Sequence, residues 1–144
     1  MINLLTGIES TASALDAERV RMDVIAGNIA NANVTKDVDG KPYQRKEVVF
    51  ESVLRARQNS DAPDAGSETV RIARVLKDSR PPRMVYNPGH PDANAQGMVA
   101  MPNINIHEEM VDMISSSRSY EANLAVVKNA RAMAIQALSI GKHS

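Results

Sequence analysis

Two long stretches of this chain space their apolar residues by three and four, and the sequence between them does not. The first runs from Asn3 to about Asn31 without a proline. Its residues Leu5, Ile8, Ala12, Leu15, Met22, Ile25 and Ile29 form a single narrow stripe, interrupted at Arg19. That spacing predicts an amphipathic helix with one face in need of a neighbour. The second stretch repeats the pattern more strictly. Ile106, Met110, Met113, Ser117, Tyr120, Leu124, Val127, Arg131, Ala134 and Leu138 alternate steps of four and three, with Ser117 and Arg131 as polar exceptions. A helix over about 105–139 is predicted, with Asn105 and Glu108 as a capping box and Gly141 as terminator. The acids Glu108, Glu109 and Asp112 sit early and Lys128, Arg131 and Lys142 late, as the helix dipole favours.

Between these stretches the period changes. YQRKEVVFESVL (43–54) and TVRIARVL (69–76) are rich in β-branched residues and partly alternate, which predicts two strands. QNSDAPDAGSE (58–68) has the composition of an exposed, mobile hairpin loop. Short extended pieces are expected at 84–86 and 98–101. The resulting class is α+β, with long terminal helices around a small β-rich insert: 1–33 for the first helical part, 34–104 for the insert and 105–144 for the second.

With no third long helix in the chain, the two stripes must cover each other or be covered by other chains. Small residues at Ala12, Ser117 and Ala134 permit close approach, and Met110, Met113 and Met22 adapt to uneven gaps. Arg19 and Arg131 interrupt the stripes; if buried between chains, each needs a carboxylate or carbonyl partner and would set register. An intramolecular antiparallel pair, with both arginines reaching solvent, is the alternative.

Composition sharpens this picture. Aromatic residues make up 3% of the 144, so a thick aromatic core is excluded. There is no cysteine, hence no disulfide framework and no thiolate nucleophile or ligand. A formal charge of +0 argues against a global nucleic-acid or membrane-surface role. No apolar run approaches the length of a membrane span, and the N-terminus lacks the basic start and continuous apolar stretch of a cleaved signal.

Candidate chemistry is thin. The most enzyme-like stretch is YNPGHPDANAQG (86–97), where His90 and Asp92 invite a proton-transfer or metal reading, but their spacing fits no ligand motif. HEEM (107–110) continues to Val111, so it is no H-E-x-x-H. No catalytic, cofactor-binding or metal-binding residue is expected. Arg71, Arg74, Lys77, Arg80 and Arg83 form a basic run without interleaved aromatics. A solvated strand face, or pairing with acids such as Asp61, Asp64 and Glu68, explains it better than a polyanion site.

GNIANANVT (27–35) is an unusual helix end, since Asn favours caps and turns over helix interiors. Asn28, Asn31 and Asn33 are expected to mark the exit from the first helix. GNIANANVT followed by PYQRKEVVF resembles the N-terminal signature of the flagellar rod and hook protein family. NPGHPDANAQGMVAMPNIN and EEMVDMISSSRSYEANLAVVKNARAMAIQALSIGK resemble the C-terminal half of its rod members. The positions that carry the likeness are Asn28, Asn31, Asn33, Asn87, Pro88, His90, Pro91, Tyr120, Glu121 and Asn123; residues 55–83 carry little of it.

The resemblance implies a structural subunit of the basal-body proximal rod that transmits motor torque. It implies export through the flagellar type III apparatus without a cleaved signal, and assembly in the periplasm with copies of itself and other rod proteins. Terminal helices would form a coiled inner layer. Stripe residues, including Leu5 and Ile8 through Leu138, would then be subunit interface. No cofactor, nucleic acid or membrane insertion is implied. A helical-hairpin adaptor that captures a partner helix is the alternative from another class.

Overall fold

The computed structural model describes residues 4–55 and 67–141. Helix α1 (Leu4–Ala30) is followed by strands β1 (Lys46–Arg55), β2 (Ser67–Lys77), β3 (Arg83–Tyr86) and β4 (Met98–Met101), then by helix α2 (Ile106–Gly141). The class is α+β, as the sequence indicates. The greater part of the expected loop 58–68, with Asp61 and Asp64, lies outside the described residues. No helix among the described residues is long and apolar enough to cross a membrane.

The helices run antiparallel. Asn28 meets Glu109 and Glu18 meets Ser116, so positions rise along α1 as they fall along α2. β1 and β2 form an antiparallel ribbon with an irregularity at Val49/Phe50, and β3 pairs with β4 in a second, shorter hairpin. The ribbon lies along α1 on a different side from α2: the Val70 amide donates to Ser13 Oγ at 3.3 Å near one end, and the Lys46 amide donates to Asn28 Oδ1 at 2.9 Å near the other. α1 is therefore the middle layer, which is why a helix of few large side chains still buries Ala17 and Ile25.

Inside the chain, α2 turns Glu109, Met113, Ser116, Tyr120, Asn123, Val127, Ala130 and Ala134 inward as buried or half-buried positions, in steps of four and three. Half of these belong to the apolar stripe read from the sequence. The others sit one residue before a stripe member, because small or hydrogen-bonding residues let two helices approach where bulk would hold them apart. Ser116 is fully buried and donates to Glu18, whose carboxylate also lies 3.8 Å from Arg21.

Two boundaries differ from expectation in an informative way. β1 begins at Lys46, three residues after the predicted start, because Tyr43 and Arg45 leave the ladder to make contacts described below. α2 begins at Ile106, where Asn105 caps it by accepting from the His107 amide at 3.1 Å. The return arm from Glu108 expected of a capping box is not among the described hydrogen bonds.

Candidate functional site

The two helices and the ribbon meet at one place, near the end of α1 and the start of α2. Asn28 lies in the last turns of α1 with no exposed surface. Its amide is bracketed by one residue of β1: Nδ2 donates to the Lys46 carbonyl at 2.8 Å, and Oδ1 accepts from the Lys46 amide at 2.9 Å. Those two bonds fix which way the amide points. The remaining capacity is also used, since Nδ2 donates to Glu109 Oε2 at 2.9 Å and Oδ1 accepts from the Tyr43 hydroxyl at 3.2 Å. A side chain with two donor and two acceptor positions is thus fully satisfied.

Glu109, 1% exposed, accepts on its other oxygen from Arg45 Nε at 2.6 Å. Arg45 is turned further by Asp112 at 3.8 Å and Glu47 at 3.9 Å. Burial opposes the charge on Arg45, but its bond to Glu109 and the attraction of Glu109, Glu47 and Asp112 prevail and hold its pKa above the ordinary arginine range. The Tyr43 hydroxyl is pushed up by burial and by the negative charges of Asp37 and Glu109. Below this network Tyr43 packs with Ala32 and Ile104, against which Val34 rests.

Chemically, the bonds of this junction tie the insert to both helices. No buried side-chain nitrogen or oxygen among the described residues lacks a hydrogen-bond partner. Among the described residues no three His, Asp or Glu side chains gather as a metal site.

The stretch that looked most enzyme-like has a comparable holding role. His90 Nδ1 accepts from the Asp92 amide at 3.1 Å, so the imidazole closes a turn. Asp92 accepts from Thr35 Oγ1 at 2.8 Å and pairs with Lys36, tying the β3–β4 connection to the exit of α1. These bonds, Lys36 first, hold the Asp92 carboxyl below the usual range. Gly97 takes φ +73°, and a Cβ there would meet the Tyr86 ring at 2.9 Å.

Of the three asparagines expected at the helix exit, Asn31 caps it, donating to the Gly27 carbonyl at 2.7 Å, and Asn33 is exposed. Asn28 instead faces inward, as above. Among the stripe residues of α1, Ile25 is buried, Ile8, Leu15, Met22 and Ile29 are half-buried, and Ala12 and Arg19 are exposed; Leu5 lies in the first turn. On α2, Met113, Ser117, Tyr120, Leu124, Val127 and Ala134 are half-buried, while Met110, Arg131 and Leu138 are exposed. Of the remaining signature positions, Asn87, Pro88, Pro91 and Glu121 are exposed and Asn123 is half-buried. In the basic run, Arg71 pairs with Glu51 and Arg80 with Asp78, each at 2.6 Å.

Sequence reasoning missed Tyr43, Arg45 and Glu109 as one unit. Glu109 looks like an ordinary first-turn acid, and nothing local announces that its partners lie 64 and 81 residues away.

Comparison with known proteins covers both ends of the chain. Residues 8–36 match the family described as flagella basal body rod protein, and residues 95–140 match flagellar basal body rod FlgEFG protein C-terminal. Full-length similarity extends to proteins named flagellar basal-body rod protein FlgC. The one from Bacillus subtilis (strain 168) is 43% identical over 143 residues, covering 92% of this chain and 94% of its own. That from Escherichia coli O6:H1 is 40% identical over 139 residues, covering 96% and 98%. That from Borreliella burgdorferi is 39% identical over 153 residues, again covering 96% and 98%.

Proposed function

The chain belongs to the FlgC family of flagellar basal-body rod proteins, and on that premise we propose how this structural subunit is built into the rod. Its part is mechanical: both helices pack into an inner layer shared with copies of itself and other rod proteins, and the rigid junction at Asn28 carries the β insert on that layer. In the proximal rod such an arrangement transmits motor torque toward the hook. No catalytic role forms part of the proposal. The proposal includes export through the flagellar type III apparatus without a cleaved signal, and residence in the periplasm.

The observation that carries this reading is the apolar surface left on α2. Met110 is 51% exposed, Ile114 53%, Val126 54%, Met133 59% and Leu138 75%. Met110, Ile114, Val126 and Met133 lie to either side of the seam with α1, and Leu138 lies past the described start of α1, so α1 does not cover them. Burying what remains exposed on these five would return roughly 4–9 kcal/mol, at about 1.5–3 kcal/mol for complete burial of each. An assembly supplies that cover. Arg131 and Arg19, exposed at stripe positions, would find their carboxylate or carbonyl partners in neighbouring subunits and set register there.

Ile114→Asp tests it. The side chain is half in water already, so the subunit's own fold and its export persist, whereas rod assembly and swimming are lost. Normal swimming by cells carrying only this variant refutes the interface.

A further inference from the structure

Beyond α1 the chain makes a tight turn, Asp37 to Lys41, whose tip stands in water. The Asp37 amide donates to the Lys41 carbonyl and the Gly40 amide to the Asp37 carbonyl, both at 2.8 Å. The Val38 amide donates to Asp37 Oδ1 at 2.8 Å, and Gly40 takes φ +70°, where glycine alone is unstrained. Held on this tied turn, Val38 is 99% exposed. Singly exposed apolar side chains are common; Val38 differs in being fixed on a tied turn between two acids. Asp37 and Asp39 stand exposed on either side of it. Lys36 is taken by Asp92, and Lys41 closes the base of the turn.

A surface of matching chemistry lies at the other end of the molecule. Leu124, Lys128, Arg131, Ile135 and Leu138 follow one another by four, three, four and three, and so share a face of α2. Lys128 and Arg131 are exposed, Ile135 is 58% exposed and Leu138 75%. No Asp or Glu follows Glu121 in the sequence, so the charges that α2 itself contributes to this face are all cationic. The pairings Asn28 with Glu109 and Glu18 with Ser116 extrapolate to bring Leu4 beside α2 at about residue 130. Residues beyond it, Ile135 and Leu138 among them, project past the described part of α1.

We infer that the Asp37–Val38–Asp39 turn of one copy docks on this face of a second copy. Val38 sits against Ile135 and Leu138, and the two carboxylates flank Lys128 and Arg131, whose Cβ atoms are about 5–6 Å apart at this spacing. The inference rests on the rod reading and adds which parts of two copies meet. Because turn and face lie at opposite ends of the subunit, the contact is heterologous and propagates instead of closing on itself.

The chain has no cysteine, so a pair can be placed cleanly. In cells lacking the resident subunit, a chain with both Val38→Cys and Ile135→Cys is expressed and its basal bodies are isolated and oxidised. A non-reducing gel should then show a ladder in steps of the 15.6 kDa chain. Coexpressing the two single variants should stop the ladder at the dimer. Asp37→Lys with Asp39→Lys should abolish swimming, and adding Lys128→Glu with Arg131→Glu should restore it.

Assembled rods that yield only monomer overturn the inference, as does normal swimming of the Asp37→Lys, Asp39→Lys chain. If that chain swims while Ile114→Asp does not, the docking fails and the rod reading stands. If both swim, the rod reading itself has failed.

Discussion

Glu109→Gln should uncouple the β insert from the helices, by an amount the geometry of the junction permits us to estimate. Glu109 accepts on both oxygens, from Arg45 at 2.6 Å and from Asn28 at 2.9 Å. Glutamine offers one acceptor and one donor, so in either orientation an N–H points at an N–H. Asn28 cannot turn to help, because the amide and carbonyl of Lys46 fix its orientation. A charge-assisted hydrogen bond contributes about 1.5–3 kcal/mol, and a buried donor left unpaired costs about 1–3 kcal/mol. The change should therefore cost roughly 3–5 kcal/mol, as breaking a buried pair from one side generally does. Against a total stability of about 5–15 kcal/mol this is severe. With a urea dependence of about 2 kcal/mol per molar, the midpoint of unfolding followed by circular dichroism should fall by about 2 M. A shift below about 0.5 M, the scale of a surface ion pair, would refute the view that this network locks the junction.

Three further outcomes are expected. The Asp92 carboxyl is held below its ordinary pKa, chiefly by Lys36, so its contribution is complete above the ordinary carboxylate value and is lost as pH falls through the lowered one; amide-exchange protection in 87–97 should weaken in that acidic window, and Asp92→Asn should remove the pH dependence. Gly97→Ala places a Cβ 2.9 Å from the Tyr86 ring at φ +73°, and should destabilise the β3–β4 hairpin by about 1–2 kcal/mol, read as faster exchange of its amides. In dilute solution the far end of α2, without α1 beside it, should be frayed, so circular dichroism should report fewer helical residues than the 27 and 36 of the two helices, and assembly should restore them; full helicity in dilute monomer contradicts this.

The helices were legible because a repeat of three and four survives any context, and the strands because β-branched runs have few other uses. Within the chain, the phase of the α2 seam was less legible. Apolar reading selects Met110, Ser117, Leu124 and Arg131, whereas the positions tucked against α1 include Glu109, Ser116, Asn123 and Ala130, each one residue earlier. The two sets differ by a rotation of about 100° on the helix, and polarity alone ranks them wrongly because small and hydrogen-bonding side chains let the helices come close. The asparagine-rich exit of α1 was visible as a peculiarity, but Asn28 and Asn33 have the same letter and opposite surroundings. Only the distant partners Tyr43, Lys46 and Glu109 distinguish them. His90 drew attention for chemistry that its ring nitrogen instead spends on the Asp92 amide.

Because Asn28 and Glu109 touch, everything between α1 and α2 leaves and re-enters the helical layer at one point. Seen from the helices, the insert is a single closed loop. The entropy of closing such a loop grows only logarithmically with its length, so doubling it adds about 0.6 kcal/mol. A subunit clamped in this way can lengthen or shorten the parts of its insert that do not pack on α1 while its helical layer keeps its register. The junction makes those outer parts of the protein adjustable, by evolution or by an engineer who preserves those few buried bonds.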